Sequence, residues 1–221
     1  MVVALSVIAA VSALLVAVVN NATKGAIELS KQQAEDKAKF DALGVSATDA
    51  KIIEEATREI GDFNVTVSTI AAQADESILG YAVKAPSITR GGYGGTITLM
   101  VGFKEVGDDV VVNNVIVLSQ NETPGLGANM TKEGNSLERS VVGKSASSLK
   151  FSVSKEGGSF DALTGSTISS RAYANAVETA YAGYLWAKGL LDTSKAAPTG
   201  ASNNQNYAEE SKAQKGEQDN E

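Results

Sequence analysis

Neither cysteine nor histidine occurs anywhere in the 221 residues. Without cysteine there are no disulfides, no thiolate metal sites and no iron–sulfur cluster ligated by this chain. Without histidine the commonest general base is missing, together with Ser-His triads and the usual zinc ligands. Excess positive charge is missing too: 19 Lys and Arg stand against 26 Asp and Glu, for a formal net charge of −7. That balance argues against a nucleic-acid partner, which needs a basic face to neutralise phosphates. Redox or catalytic chemistry on such a chain therefore calls for a bound cofactor. Apolar residues, by contrast, are plentiful at 43%, enough for a packed core over most of the length.

The run Val2–Val19 carries no charge, and its only polar residues are Ser6 and Ser12. As a helix it reaches roughly 27 Å, close to the thickness of a hydrocarbon core. A signal peptide is the competing reading, but no basic residue precedes the run and no A-x-A site follows it. The run reads as a transmembrane anchor over residues 1–22, with Ala9, Ala13 and Ala17 offering a small-residue face to other helices. A charged, helix-prone stretch, 24–43, follows and is stopped by Gly44; a second helix is expected at about Ala50–Ile60, where Ile52, Ile53, Ala56 and Ile60 share a side. Together these give a helical stalk over 23–60. Strand-like runs follow at Val65–Thr69, Ile78–Val83, Thr96–Phe103 and Val110–Leu118, with a turn at Gly107-Asp108-Asp109 between the last two. Leu149, Phe151 and Val153 alternate as a further strand, ended by Glu156-Gly157-Gly158. A long helix is expected over about Ile168–Lys188, with Tyr173, Val177, Ala180, Tyr181 and Tyr184 as its buried stripe. The expected class is α+β: one α+β domain over 61–192 behind a single span, then a polar, disordered tail over 193–221.

Three segments draw attention for chemistry. Asp161-Ala-Leu-Thr-Gly-Ser-Thr167 opens the long helix with Thr164, Ser166 and Thr167 as hydroxyl residues around Gly165. Its plain reading is a helix cap. Its sharper reading is a phosphate site, because a helix start presents free N–H donors and partial positive charge. Gly91-Gly92-Tyr93-Gly94-Gly95 precedes a strand, and Glu122-Thr123-Pro124-Gly125-Leu126-Gly127 follows one. Each is a turn, or a place where backbone approaches a flat ligand closely. Gly143-Lys144-Ser145 resembles the end of a P-loop, but Glu138 stands where that motif needs its first glycine.

GYGG, ETPGLG and D-x-x-T-G-S-T, in that order behind one N-terminal span, resemble the FMN-binding subunits of bacterial respiratory complexes. These are the G subunit of the Rnf type and its relative, the C subunit of the sodium-pumping NADH:quinone oxidoreductase. The resemblance runs from about residue 1 to 190. It implies FMN held covalently as a phosphoester of Thr167, attached by a flavin transferase, with Asp161, Thr164, Gly165 and Ser166 completing the attachment motif. It also implies that Tyr93, Gly94, Glu122, Thr123, Gly125, Leu126 and Gly127 lie beside the flavin ring. The domain would then stand on the extracytoplasmic side of the cytoplasmic (inner) membrane, passing electrons among membrane, iron–sulfur and flavin subunits of an ion-translocating complex. A stand-alone flavinylated electron carrier is the alternative. Ser166 occupies a position that is usually alanine in this family, and Ser119, Gln120 and Asn121 stand where a histidine is often found.

Overall fold

The computed structural model describes residues 2–88 and 94–190. It contains a 42-residue helix α1 (Val2–Leu43), five strands β1 (Ala50–Ile60), β2 (Phe63–Ala72), β3 (Ile78–Ile88), β4 (Thr96–Val106) and β5 (Asp109–Ser119), a short helix α2 (Ser136–Val141) and the long helix α3 (Thr167–Ala187). The chain divides into two compact units at Lys37–Ala38, so the last turn and a half of α1 belongs with the sheet. Among the described residues, α1 is the one helix long and apolar enough to cross a membrane.

The sheet is an antiparallel meander in the order β1-β2-β3-β4-β5. Period-2 alternation sends each strand's side chains to two different cores. Val65 and Val67 of β2, Tyr81 and Val83 of β3, and Ile97, Leu99, Val101 and Phe103 of β4 face the larger core under α3. The intervening Ile70, Ala82 and Met100 meet Ala38, Ala42 and Leu43 at the end of α1. Full burial of a side chain of valine to phenylalanine size contributes about 1.5–3 kcal/mol.

Glycine sets how closely both helices approach. A Cβ on Gly183 of α3 would lie 2.7 Å from Val65 Cγ1, and one on Gly102 of β4 only 2.0 Å from the Ala42 carbonyl oxygen. Asn113 Nδ2 donates to that same carbonyl at 2.9 Å. At the far end of α3, Tyr184 Oη donates to Glu105 Oε1 at 2.8 Å, and Lys188 Nζ pairs with the same oxygen at 2.9 Å. The rings of Tyr81 and Tyr184 meet edge-on at 5.2 Å. The Lys188 ammonium, followed by the Tyr184 hydroxyl, holds the Glu105 carboxyl below its usual range. This clamp ties the end of α3 to β4.

Several expectations need correction. The segment 50–60 is not a helix but the edge strand β1, so the helical stalk ends at Leu43 and the sheet domain begins well before residue 61. Its isoleucines resolve through a bulge: Ile52 pairs with Ile70 and Glu54 with Thr69, leaving Ile53 as the extra residue, 46% exposed. Leu149–Val153 forms no ladder strand. It consists of tight turns with a single bridge, Val153 to Phe160, although Leu149 and Val153 are buried as their alternation implied. Strands β2 to β5 and helix α3 stand where expected within a few residues. The short helix α2, capped by the Asn135 side chain accepting from Leu137 and Glu138 N–H, was not foreseen. The tail over 193–221 lies outside the described residues, as does Tyr93.

Candidate functional site at the start of the long helix

The turn into α3 is set by Gly165, whose φ of +72° lies in the left-handed region that a side chain would strain. Ser166 N then donates to Leu163 O at 3.1 Å, and Ser170 N to Ser166 O at 3.0 Å, which begins the helical ladder. Ser170 is fully buried and works as a staple. Its hydroxyl donates to Ser166 O at 2.8 Å and accepts from Leu163 N at 3.0 Å. The N–H groups of Thr167, Ile168 and Ser169 precede the first intrahelical bond and have no helical partner. The residue placed to cap them is Ser166, yet its side chain caps nothing. Its hydroxyl makes no hydrogen bond among the described residues, although the residue is only 7% exposed. An unsatisfied buried hydroxyl costs about 1–3 kcal/mol. Thr167, by contrast, is half-buried, and Thr164 and Gly165 are exposed.

The loop after β5 reaches the same place through Glu122. This residue is as enclosed as Ser166, and its carboxylate accepts from Ser169 Oγ at 2.8 Å, joining the loop to the first turn of α3. The Glu122 N–H donates to Gln120 Oε1 at 2.6 Å. Glycines make the room. A Cβ on Gly94 would fall 2.3 Å from Glu122 Oε1, and one on Gly127 would fall 2.6 Å from Ser169 Oγ and 2.7 Å from Glu122 Oε2. A carboxylate beside the first turn of a helix is also favourably placed in its dipole. Thr123 O accepts from Leu126 N and Ala128 N, at 3.1 and 3.3 Å, and Asn129 Nδ2 donates to Gly125 O at 2.7 Å, so the turn is internally braced. Leu126, 45% exposed, lies against Gly165: a Cβ there would be 3.4 Å from Leu126 Cδ2.

The structure therefore gathers Gly94, Glu122, Leu126, Gly127, Gly165, Ser166 and Thr167 at one helix start. Asp161 is turned elsewhere, accepting from Ser154 Oγ at 2.5 Å, on a segment that Arg171 holds through Nε to Glu156 Oε1 at 2.8 Å. Thr123 and Gly125 are exposed and contribute backbone acceptors to their own turn. Sequence reasoning missed Ser169 and Ser170. Two serines shortly after the threonine were the visible signal for the staple, but nothing in the sequence tied Ser169 to a glutamate 47 positions away.

An FMN-binding domain family matches residues 92–182, a stretch that takes in all of these residues. Over 171 residues, 75% of this chain and 79% of the relative, the sequence is 32% identical to the G subunit of the ion-translocating oxidoreductase complex of Shewanella piezotolerans. The chain belongs to this G-subunit family. A second relative, the G subunit of the Na(+)-translocating ferredoxin:NAD(+) oxidoreductase complex of Acetobacterium woodii, is 32% identical over 183 residues, 78% of this chain and 84% of the relative. The corresponding protein of Shewanella oneidensis is 32% identical over 174 residues, with 75% and 79% covered. The helix start in this G-subunit family member suits an anionic group with a flat body. It offers uncapped helix N–H donors, an orphaned buried hydroxyl and a glycine turn flanked by an exposed leucine.

Proposed function

We propose that the chain is the electron-carrier component of a membrane-bound ion-translocating oxidoreductase complex of the Rnf type, and that it carries FMN as a phosphoester of Thr167. The observation that carries this reading is the convergence of the ETPGLG and D-x-x-T-G-S-T loops on one uncapped helix start, with the half-buried Thr167 as its first residue. Bound FMN would supply reversible uptake and release of electrons, which the side chains of Glu122, Leu126, Ser166 and Thr167 cannot provide.

The protein's own residues hold and orient. The first-turn N–H groups of α3 and the helix dipole would stabilise the phosphate. Gly165 lets backbone pass close to it. Leu126 would offer an apolar surface to the ring, and Gly94 and Gly127 leave room for Glu122 to join its loop to Ser169. Asp161, Thr164 and Gly165 would be read by a flavin transferase from the exposed side of the turn. A covalent tether prevents loss of the cofactor on the extracytoplasmic side, where a dissociated FMN could not be replaced. In this reading α1 is the single-pass anchor in the bacterial cytoplasmic membrane. Electrons would arrive from and leave to iron–sulfur and flavin subunits of the same complex. Tyr93, outside the described residues, is assigned to the ring's surroundings on the resemblance alone.

The test is ultraviolet in-gel fluorescence of the denatured chain after co-expression with a flavin transferase, beside Thr167→Ala. A fluorescent parent band and a dark variant are expected. A dark parent band, with the transferase active on a control substrate, removes the covalent reading and leaves Thr167 as the first residue of a helix.

A further inference from the structure

Three serines surround the start of α3, and two have committed their protons. Ser169 donates to Glu122 at 2.8 Å, and Ser170 to the Ser166 carbonyl at 2.8 Å. The buried hydroxyl of Ser166 has no acceptor among the described residues. A serine at this N-cap position ordinarily turns its oxygen to the second or third N–H of the helix. Here φ and ψ of −137° and 46° accompany a side chain that caps nothing. The first-turn N–H groups thus receive no cap from Ser166, whose hydroxyl is itself left without a partner among the described residues.

An acceptor that suits both is an oxyanion with several lone pairs, which can take the helix N–H groups and the hydroxyl proton together. We infer that Ser166 is a positioning residue that donates its hydroxyl proton to a non-bridging phosphate oxygen of the group esterified to Thr167. The inference rests on the reading of Thr167 as the attachment site. It also separates the roles of two adjacent hydroxyls. Thr167 is half-buried and reachable by a modifying enzyme, whereas the enclosed Ser166 hydroxyl is not available as the ester oxygen and reaches a phosphate on its neighbour by rotation about its Cα–Cβ bond, which no hydrogen bond among the described residues opposes. At a position where alanine would supply no donor, this chain has added one hydrogen bond to the phosphate.

The test is a thermal-unfolding cycle on the full chain in detergent, with parent and Ser166→Ala each prepared with and without flavin transferase. Without flavin, the alanine removes an unsatisfied buried hydroxyl, so its Tm should match or exceed the parent's. With flavin attached, it removes a charge-assisted hydrogen bond, and Tm should fall by roughly 3–12 °C. The phosphorus NMR resonance of the attached phosphodiester should move in Ser166→Ala, and Ser166→Gly should repeat both results if the alanine variant expresses poorly. Equal Tm changes in the two forms with an unmoved phosphorus resonance would overturn the inference while leaving Thr167 flavinylation intact. A non-fluorescent parent band would instead sink the attachment reading and this inference with it.

Discussion

Replacing Gly127 with alanine tests how tightly the site is assembled. Gly127 does not adopt a left-handed conformation, so the substitution adds no backbone strain. It adds only a methyl group, and that group would lie 2.6 Å from Ser169 Oγ, 2.7 Å from Glu122 Oε2 and 2.9 Å from Glu122 Cβ. The clash falls on both partners of the bond joining the ETPGLG loop to α3. Overpacking of this kind costs about 2 kcal/mol, or roughly 4–8 °C in Tm for a chain of this size. Trp186, the single tryptophan, packs on the core from α3 and reports unfolding by fluorescence. Ser169→Ala removes the nearest clashing atom, so the double variant should be less destabilised than the sum of the two singles, by about 0.5–3 kcal/mol. Gly125→Ala is the control. Its φ of +79° makes it a strain site with nothing within 4 Å, so it should lose about 1 kcal/mol and show no coupling to Ser169. Additivity of Gly127→Ala and Ser169→Ala within about 0.5 kcal/mol would refute the packing described here.

Gly102→Ala would drive a methyl to 2.0 Å from the Ala42 carbonyl oxygen, and backbone must move. About 3 kcal/mol should be lost, with amide exchange rising first at residues 38–45 while α3 stays protected. Glu105→Gln tests the clamp at the other end of α3. The carboxyl of Glu105 is held below its ordinary value of 4.5, so its contribution is present above that pH and is lost as acidification passes through the lowered folded value. The parent should therefore lose more stability than Glu105→Gln below about pH 4.5. The difference should stay under about 1 kcal/mol, because the side chain is 40% exposed and screened by solvent. A parallel acid profile for the two proteins would show that the Lys188 pair contributes nothing. Ser170→Ala removes the staple between Leu163 and Ser166. It should cost about 1–3 kcal/mol and reduce flavin incorporation under limiting transferase, and unchanged incorporation would count against a preorganised turn.

Much of the sheet was legible because β2 to β5 are rich in β-branched residues that alternate between two buried faces, a pattern with a physical period. The failure at β1 has an equally physical origin. Residues 50–60 contain Glu54, Glu55, Ala56, Arg58 and Glu59, strong helix formers or charges, with isoleucines at helical spacing. An edge strand needs only one row of partners, and charged side chains on an exposed edge discourage unwanted pairing. Pairing with β2 therefore overrode local preference, and the bulge at Ile53 absorbed the misfit. Residues 149–153 show the converse error. Their alternation correctly marks Leu149 and Val153 as buried, but burial on alternate residues does not require a ladder. At the site, the loops were legible as motifs, and Gly165 and Thr167 as a helix start. The Glu122–Ser169 bond was not, because a contact between distant segments leaves no trace in local spacing.

The order of the meander bears on when the site comes into being. Every strand pairs with its neighbour in sequence, so the sheet can close hairpin by hairpin as the polypeptide lengthens. The Glu122 carboxylate and its glycine surroundings belong to this early part of the chain, but its partner Ser169 is on the last described helix. Until α3 has been made and docked, there is no helix start and no buried Ser166. A partly synthesised or unfolded copy presents the same motif only as a loose peptide. If Thr167 is the attachment site proposed above, a modifying enzyme that prefers the formed turn would act on finished domains, and the attached group would be a record that folding was complete.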